Sequence, residues 1–177
     1  MYRLSIHEFT PGPPAIGPSS WPVESHIPRQ PHQPTLVMLA HPQCSCTRAS
    51  IGELAILMAQ LPRPVEAHVV FLTPTTLTGT WEQTDLWQSA AAIPGVQVFA
   101  DRDGQEARLF QVTTSGQVLL YDERGRLAFA GGITASRGHS GENEGRHALL
   151  SLLTAAEPLR TTTPVFGCSL FSHSPRT

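Results

Sequence analysis

The sequence predicts an α/β fold, with a central mixed sheet of about five strands and helices on both faces. Short apolar runs alternate with segments of helical periodicity through residues 36–110, an order typical of parallel strands joined by helices. Two later strand-like segments are joined by Asp122-Glu-Arg-Gly125, a turn signal that indicates an antiparallel hairpin. The length of 177 residues suits one such domain with appended segments.

The first half of the chain holds three predicted strands and two predicted helices. Leu36–Ala40 is an apolar run suited to a strand covered on both faces, and Thr47–Leu61 follows it with helical spacing. Val69–Leu72 predicts a second strand, Glu82–Ile93 a second helix and Val96–Ala100 a third strand. The apolar positions that define these helices are Ile51, Leu54, Leu57, Met58 and Leu61 in the first and Leu86, Ala90 and Ile93 in the second.

The second half predicts a short helix, the hairpin and a last helix. Asp103 and Glu106 stand three residues apart, as in a capping box, and begin a short helix that runs to Phe110. Val118–Tyr121 and Leu127–Ala130 are the predicted hairpin strands. The last helix, about Asn143–Ala155, buries Ala148, Leu149, Leu152 and Leu153. The expected order is therefore β-α-β-α-β-α-β-β-α.

Two proline-rich or loosely patterned segments flank this domain. Residues 1–34 hold eight of the sixteen prolines, which predicts an extended arm on the surface with little regular structure. We assign residues 35–156 to the domain and residues 157–177 to a C-terminal tail that carries Cys168. The tail has apolar side chains to bury, namely Val165, Phe166, Leu170 and Phe171.

Charge and composition exclude several classes of function. A formal net charge of −2 provides no basic surface for a phosphate backbone, so nucleic acid is not an expected partner. All twelve basic residues are arginine, which excludes a lysine Schiff base, a Walker-type phosphate loop and a kinase lysine.

The apolar runs are far shorter than the roughly 20 residues of a membrane-spanning helix, so no transmembrane segment is expected. No export signal precedes Pro11, which predicts a cytoplasmic location by default. The alternative is an extracytoplasmic protein whose leader is absent from this sequence.

The three cysteines carry the main chemical signal. Cys44 and Cys46 follow the first predicted strand and precede the first helix, where the reactive crevice of an open α/β sheet is expected. Unpaired N–H groups in the first turn of a helix stabilise a thiolate, so this pair predicts a partly exposed nucleophilic sulfur. His41, three residues upstream, adds stabilisation if it is protonated.

These segments resemble the thioredoxin-like superfamily, whose fold is a three-layer sandwich. The likeness rests on the first strand, the cysteine turn, the helix with Ala49, Glu53 and Leu54, and the segments 101–104 and 118–125. Its membrane-associated thiol oxidoreductases and peroxiredoxins are the branches that the chain is most similar to. His41-Pro-x-Cys-x-Cys, together with the motif from Gly131 to Gly145, resembles RedB-type bacterial proteins. The resemblance covers about residues 21–168.

The resemblance implies specific roles and two departures. Cys44 falls on the attacking cysteine of the superfamily, whereas Thr47 falls where its second cysteine stands. A disulfide closed between Cys44 and Cys46 over one residue is strained and easily reduced. The superfamily also places a cis-proline before its fourth strand, and this chain has Thr114-Ser-Gly116 instead. The resemblance implies that the proline hinders metal binding, so its replacement leaves room for a metal.

Two further segments contribute candidate residues. Cys168 resolves a mixed disulfide or completes a metal site if the tail folds back, and is otherwise a free thiol on a loose end. The glycine-rich loop 134–145 offers Arg137 and His139, which suit an anion or a thiolate, although the loop is also readable as a plain connection. In the fold that the resemblance implies, this loop is expected to start at the sheet end away from the cysteines and to run back to reach them.

We therefore predict a thiol-disulfide oxidoreductase in which Cys44 attacks and Cys46 or Cys168 resolves, with protein or small-molecule thiols and disulfides as partners. Arg48 and His41 are expected to tune the attacking sulfur, and no cofactor is required. One alternative is a copper(I) carrier with Cys44 and Cys46 as ligands, joined by His41 or His139. A weaker alternative is a thiol peroxidase that oxidises Cys44 to a sulfenic acid.

Overall fold

The computed structural model describes residues 9–63, 65–76, 83–154, 156 and 160–171. Five strands form one sheet in the order β3-β2-β1-β4-β5. The strands are β1 (Thr35–Ala40), β2 (Glu66–Thr73), β3 (Val96–Arg102), β4 (Gln117–Tyr121) and β5 (Leu127–Gly132). The helices are α1 (Ser45–Gln60), α2 (Asp85–Ala91), α3 (Gln105–Leu109) and α4 (Glu144–Leu153).

The predicted order of elements and the mixed sheet are confirmed. Strand β1 is central, because it pairs in parallel with β2 on one side and antiparallel with β4 on the other. Strands β2 and β3 are parallel, and β4 and β5 form the predicted antiparallel hairpin. Helix α2 is shorter than predicted, beginning at Asp85 rather than at Glu82, which lies outside the described residues.

The predicted capping box at the start of α3 is wrong. Gly104 is the N-cap residue, with φ of 71°. The backbone N–H groups of Glu106 and Ala107 are instead bound by the Asp101 carboxylate, at 2.8 and 3.0 Å. The carboxylate of Asp103 turns away to accept hydrogen bonds from Thr75. The cap therefore comes from Asp101, near the end of strand β3, rather than from Asp103, the residue that the spacing indicated.

The two faces of the sheet are covered by different material. Alternate side chains of β1 point to opposite faces, and those of Leu36 and Met38 pack against α1, α2 and α4. Val37 and Leu39 face the other layer, which contains the short helix α3. That layer is completed by parts of both flanking segments, with buried Ile27, partly buried Trp21, buried Leu170 and partly buried Phe171.

The arm is held against the domain although residues 10–34 contain neither helix nor strand. Trp21 meets the rings of Phe110 and Tyr121 edge-on, with centroids 5.1 and 5.2 Å apart. Full burial of Ile27 contributes roughly 1.5–3 kcal/mol. The arm thus supplies one part of the second hydrophobic layer and the tail supplies another.

Among the described residues, no helix is both long and apolar enough to cross a bilayer.

Candidate functional site

The cysteine pair lies at the carboxyl end of the central strand, where the sequence placed it. Strand β1 ends at Ala40, and Cys44 is the N-cap residue of α1. Cys46 follows in the first turn of that helix. The crossover between β1 and the parallel strand β2 therefore presents both sulfur atoms at one edge of the sheet.

The expected exposure of this pair is wrong. Cys44 is 3% exposed and Cys46 is 8% exposed, whereas Cys168 of the tail is exposed. The tail returns to the cysteine edge, and the Sγ atoms of Cys44 and Cys168 are only 2.9 Å apart. A residue 124 positions away thus lies against the first cysteine, and local sequence around the pair gave no sign of it.

Backbone pairing holds the tail in this place. The N–H of Ser115 donates to the carbonyl oxygen of Cys168 at 2.8 Å, and the N–H of Leu170 donates to that of Thr113 at 2.9 Å. Gly167 makes this approach possible, since a Cβ at that position would stand 1.8 Å from the Ser115 carbonyl oxygen. Leu170 is buried beyond this contact. The tail is therefore joined to the loop before β4 by an isolated antiparallel bridge between Thr114 and Ser169.

The hydroxyl groups of Ser115 and Thr47 support the turn that carries the cysteine pair. The Oγ atom of Ser115 accepts a hydrogen bond from the His41 N–H at 2.8 Å and lies 2.7 Å from the Thr47 Oγ1 atom. Both hydroxyl-bearing residues are buried. Ser115 was not among the predicted site residues, although its segment was singled out as the place where the superfamily has a proline.

The three thiols differ in pKa. Burial raises the pKa of Cys44, but hydrogen bonds from Cys168 and Thr47 outweigh burial and hold the pKa below the ordinary thiol value. Burial, together with the charge of Cys44, raises the pKa of Cys46. Burial and the same neighbouring sulfur raise the pKa of Cys168 to about 12. Cys44 therefore ionises first, while Cys168 keeps its proton.

Two of the predicted tuning residues have other partners. The Arg48 guanidinium forms an ion pair with Asp85 on the exposed surface between α1 and α2. His41 accepts a hydrogen bond from the Gln43 N–H through Nδ1, and burial lowers the pKa of its imidazole. A neutral imidazole does not supply the positive charge expected of His41. Its backbone contributes instead, because its N–H and carbonyl groups bind Ser115 and Cys44.

Arg137 does reach the cysteines. Its Nη1 atom donates to the carbonyl oxygen of Gly167, and its charge and a hydrogen bond act on Cys46. His139 lies farther out, with Nδ1 2.8 Å from the Arg137 carbonyl oxygen, and so braces the loop. Arg137 is the residue that connects the glycine-rich loop, the helix and the tail.

The expected starting point of that loop was wrong. Gly132 at the end of β5 pairs with Gln117 at the start of β4, and Gln117 pairs with Leu39 near the end of β1. Two successive antiparallel pairings bring the end of β5 back to the cysteine edge. The loop therefore begins beside the site and does not have to run back to it.

A second buried polar group, which the sequence reasoning did not assign, lies farther along α1. The Glu53 carboxylate is fully buried and forms an ion pair with Arg146 of α4, with 3.1 Å between Oε2 and Nε. It also accepts hydrogen bonds from the Asn143 side chain at 3.1 Å and from the Gly141 N–H at 2.7 Å. We call Glu53, Asn143 and Arg146 the charged cluster. It ties the loop that carries Arg137 to the helix that carries Cys46.

Solved structures of similar shape agree with this architecture. An uncharacterized conserved protein from Geobacillus kaustophilus has a TM-score of 0.66 and 16% identity, over 96% of this chain and 95% of that one. A hypothetical protein from Sinorhizobium meliloti gives 0.59 and 17%, over 78% and 79%. StoA from Bacillus subtilis gives 0.51 and 14%, over 82% and 99%. No family model and no curated protein matches the chain.

The chain has the thioredoxin-like fold, as the resemblance in its sequence implied. The sheet is mixed and five-stranded, and the cysteine pair follows the central strand at the start of a helix. The closer likeness to RedB-type proteins rests on the sequence motif alone.

Proposed function

We propose that the protein is a thiol-disulfide oxidoreductase in which Cys44 attacks and Cys168 resolves. The observation that carries this proposal is the 2.9 Å separation of the two Sγ atoms. A disulfide bond is about 2.05 Å long, so closing it needs only a small movement of the tail. Cys46 would instead close a strained ring over a single residue, which makes it the weaker candidate for the resolving role.

The first step places the partner on Cys44. Its thiolate attacks one sulfur of the partner disulfide, forming a mixed disulfide and releasing the other partner sulfur as a thiolate. Hydrogen-bond donors from Cys168 and Thr47 surround the Cys44 sulfur and stabilise the attacking form. Because Cys44 is 3% exposed, we infer that residues 166–171 move aside before a protein partner reaches it.

The second step uses the change in charge that the first step causes. Once Cys44 is part of a mixed disulfide, it no longer carries the negative charge that helps to keep Cys168 protonated. Cys168 then loses its proton to solvent and attacks the Cys44 sulfur, and the second partner sulfur leaves as a thiolate. The partner is reduced by two electrons and the Cys44–Cys168 pair is oxidised. An external dithiol restores the starting state.

Single cysteine variants test these roles in an insulin reduction assay. We expect Cys44→Ser to lose all activity above background and Cys46→Ser to keep most of it. In a Cys46→Ser/Cys168→Ser variant the mixed disulfide on Cys44 should accumulate, because no resolving thiol remains. Full activity of the Cys44→Ser variant would reject the mechanism.

Mass mapping of protein isolated without reductant gives an independent check. The expected linkage joins Cys44 to Cys168. A linkage between Cys44 and Cys46 would reassign the resolving role to Cys46.

A further inference from the structure

The three sulfur atoms form a compact group of donors. The Sγ atoms of Cys44, Cys46 and Cys168 all lie within 4.8 Å of one another. We call these three residues the thiol cluster. They come from the N-cap and first turn of α1 and from the tail, so the folded chain brings them together. Redox exchange between two of them leaves the third without a role.

The spacing and chemistry of the thiol cluster suit a soft metal ion. Three thiolates at about 2.3 Å from one ion are separated from each other by about 4 Å. The cluster reaches this spacing, within its 4.8 Å limit, once the Cys44 and Cys168 sulfur atoms, now 2.9 Å apart, separate by about 1 Å. Thiolates select soft ions such as copper(I). Zinc usually takes four protein ligands in a structural site, whereas the described residues place only three donors in this group. Copper(I) accepts three sulfur ligands.

The surroundings also favour a bound cation. Copper(I) displaces the protons of Cys46 and Cys168, which pass to solvent, and its positive charge offsets the repulsion among the three thiolates that then surround it. Copper(I) with three thiolates leaves two net negative charges, and the Arg137 guanidinium beside Cys46 offsets one of them. Burial of Cys44 and Cys46 shields the ion from water, while Cys168 closes the site from outside.

We propose that the reduced thiol cluster binds one copper(I) ion, with Cys168 of the tail as the third ligand. This function goes beyond disulfide exchange but uses the same sulfur atoms. A partner disulfide oxidises Cys44 and Cys168 by two electrons and is itself reduced to two thiols. The new Cys44–Cys168 disulfide removes two of the three ligands, so the bound ion is released. Metal binding and the oxidised state therefore exclude each other.

Anaerobic titration of the reduced 177-residue chain tests this site. Copper(I) is added as its acetonitrile complex in competition with bicinchoninate, and we expect one ion per chain. Cys44→Ser, Cys46→Ser and Cys168→Ser should each lower the affinity by more than about 100-fold, because each removes a ligand. Arg137→Gln should lower it by about tenfold, the scale of an outer-shell partner. Ser45→Ala, an exposed hydroxyl between the two cysteines, is the matched control and should bind as the parent does.

A measurement without substitutions covers the case in which a variant does not fold. Parent protein oxidised with diamide should lose copper(I) binding and regain it after reduction. Copper affinity unchanged in Cys168→Ser, or retained in the oxidised protein, would overturn the site. A stoichiometric zinc(II) complex that copper(I) does not displace would overturn the choice of ion. Insulin reduction without a copper complex rejects this inference alone, and a copper complex without insulin reduction rejects the oxidoreductase alone.

Discussion

Helix α1 contributes side chains to two polar clusters that behave in opposite ways. Cys46 in its first turn belongs to the thiol cluster, and Glu53, seven residues later on the same side, belongs to the charged cluster. In the charged cluster the ion pair and hydrogen bonds satisfy both carboxylate oxygens of Glu53. In the thiol cluster the Cys44 and Cys168 sulfur atoms are hydrogen-bonded at 2.9 Å, and all three sulfur atoms lie within 4.8 Å of one another. One helix thus combines a fixed anchor with a reactive group.

The largest expected effect on stability comes from removing the buried carboxylate of Glu53. Glu53→Leu leaves the Arg146 guanidinium buried without its carboxylate, so we expect the free energy of unfolding to fall by about 3–5 kcal/mol. Urea denaturation measures the loss. Glu142→Gln is the matched control, because it removes the exposed partner of the same arginine and should cost under about 0.5 kcal/mol.

A double variant sharpens that result. Glu53→Leu/Arg146→Leu leaves no buried charge behind and should be more stable than Glu53→Leu alone. If the double variant is the less stable one, the charged cluster is not the source of the loss.

The next largest effect is expected at Ser115, whose hydroxyl group supports the turn that carries Cys44. Ser115→Ala removes the acceptor for the His41 N–H and the partner of the Thr47 hydroxyl, both in a buried setting. We expect a loss of about 1–3 kcal/mol in the free energy of unfolding, measured by denaturation. Ser89→Ala removes an exposed hydroxyl from α2 and should change stability by less than about 0.5 kcal/mol. Equal effects in the two variants would contradict the supporting role of Ser115.

Gly167→Ala tests whether the tail shields Cys44 from reagents in solution. The added Cβ would meet the Ser115 carbonyl oxygen, so the tail should shift away from Cys44. We expect iodoacetamide to alkylate Cys44 about tenfold faster, equivalent to roughly 1.4 kcal/mol, and the Cys44–Cys168 disulfide to close more slowly. Mass spectrometry follows both reactions.

Gly52→Ala is the control for this variant, because its Cβ would meet only the Ser140 hydroxyl at 3.7 Å. It should leave both rates unchanged. Slower alkylation of Cys44 in Gly167→Ala would show that the tail is not its cover.

The smallest expected effect concerns protonation. Cys168→Ala removes a thiol hydrogen bond that stabilises the Cys44 thiolate, so the pKa of Cys44 should rise. The rate of Cys44 alkylation is measured over a series of pH values, with and without the Cys168→Ala substitution, both in a Cys46→Ser background. The midpoint of each rate profile gives the pKa of Cys44. A midpoint that falls or stays fixed would contradict the hydrogen-bond arrangement.

Much of the fold followed from hydrophobic periodicity. The five strands and four helices appear in the expected order because β1 is apolar on both faces and α1 repeats its apolar positions at helical spacing. The capping box failed for a local reason. The spacing of Asp103 and Glu106 fits the motif, but Asp101 sits closer to the free N–H groups of α3. Spacing alone does not decide between neighbouring carboxylates.

The site was predictable only in its local part. Cys44 and Cys46 follow directly from the strand-to-helix turn, whereas their burial depends on Gly167 and Cys168, far along the chain. Glu53 left a weaker signal, because it stands on the buried side of α1 between Ser50 and Leu57. A carboxylate on such a face requires a buried partner, yet the sequence does not indicate which arginine provides it.

The order in which the thiols leave the ribosome has a consequence of its own. Cys168 is synthesised 124 residues after Cys44, a delay of roughly 6 to 25 seconds at usual rates of translation. Throughout that interval the nascent chain contains Cys44 but not the tail that shields it in the folded protein. The redox environment met by the growing polypeptide therefore acts on Cys44 and Cys46 before the third sulfur exists.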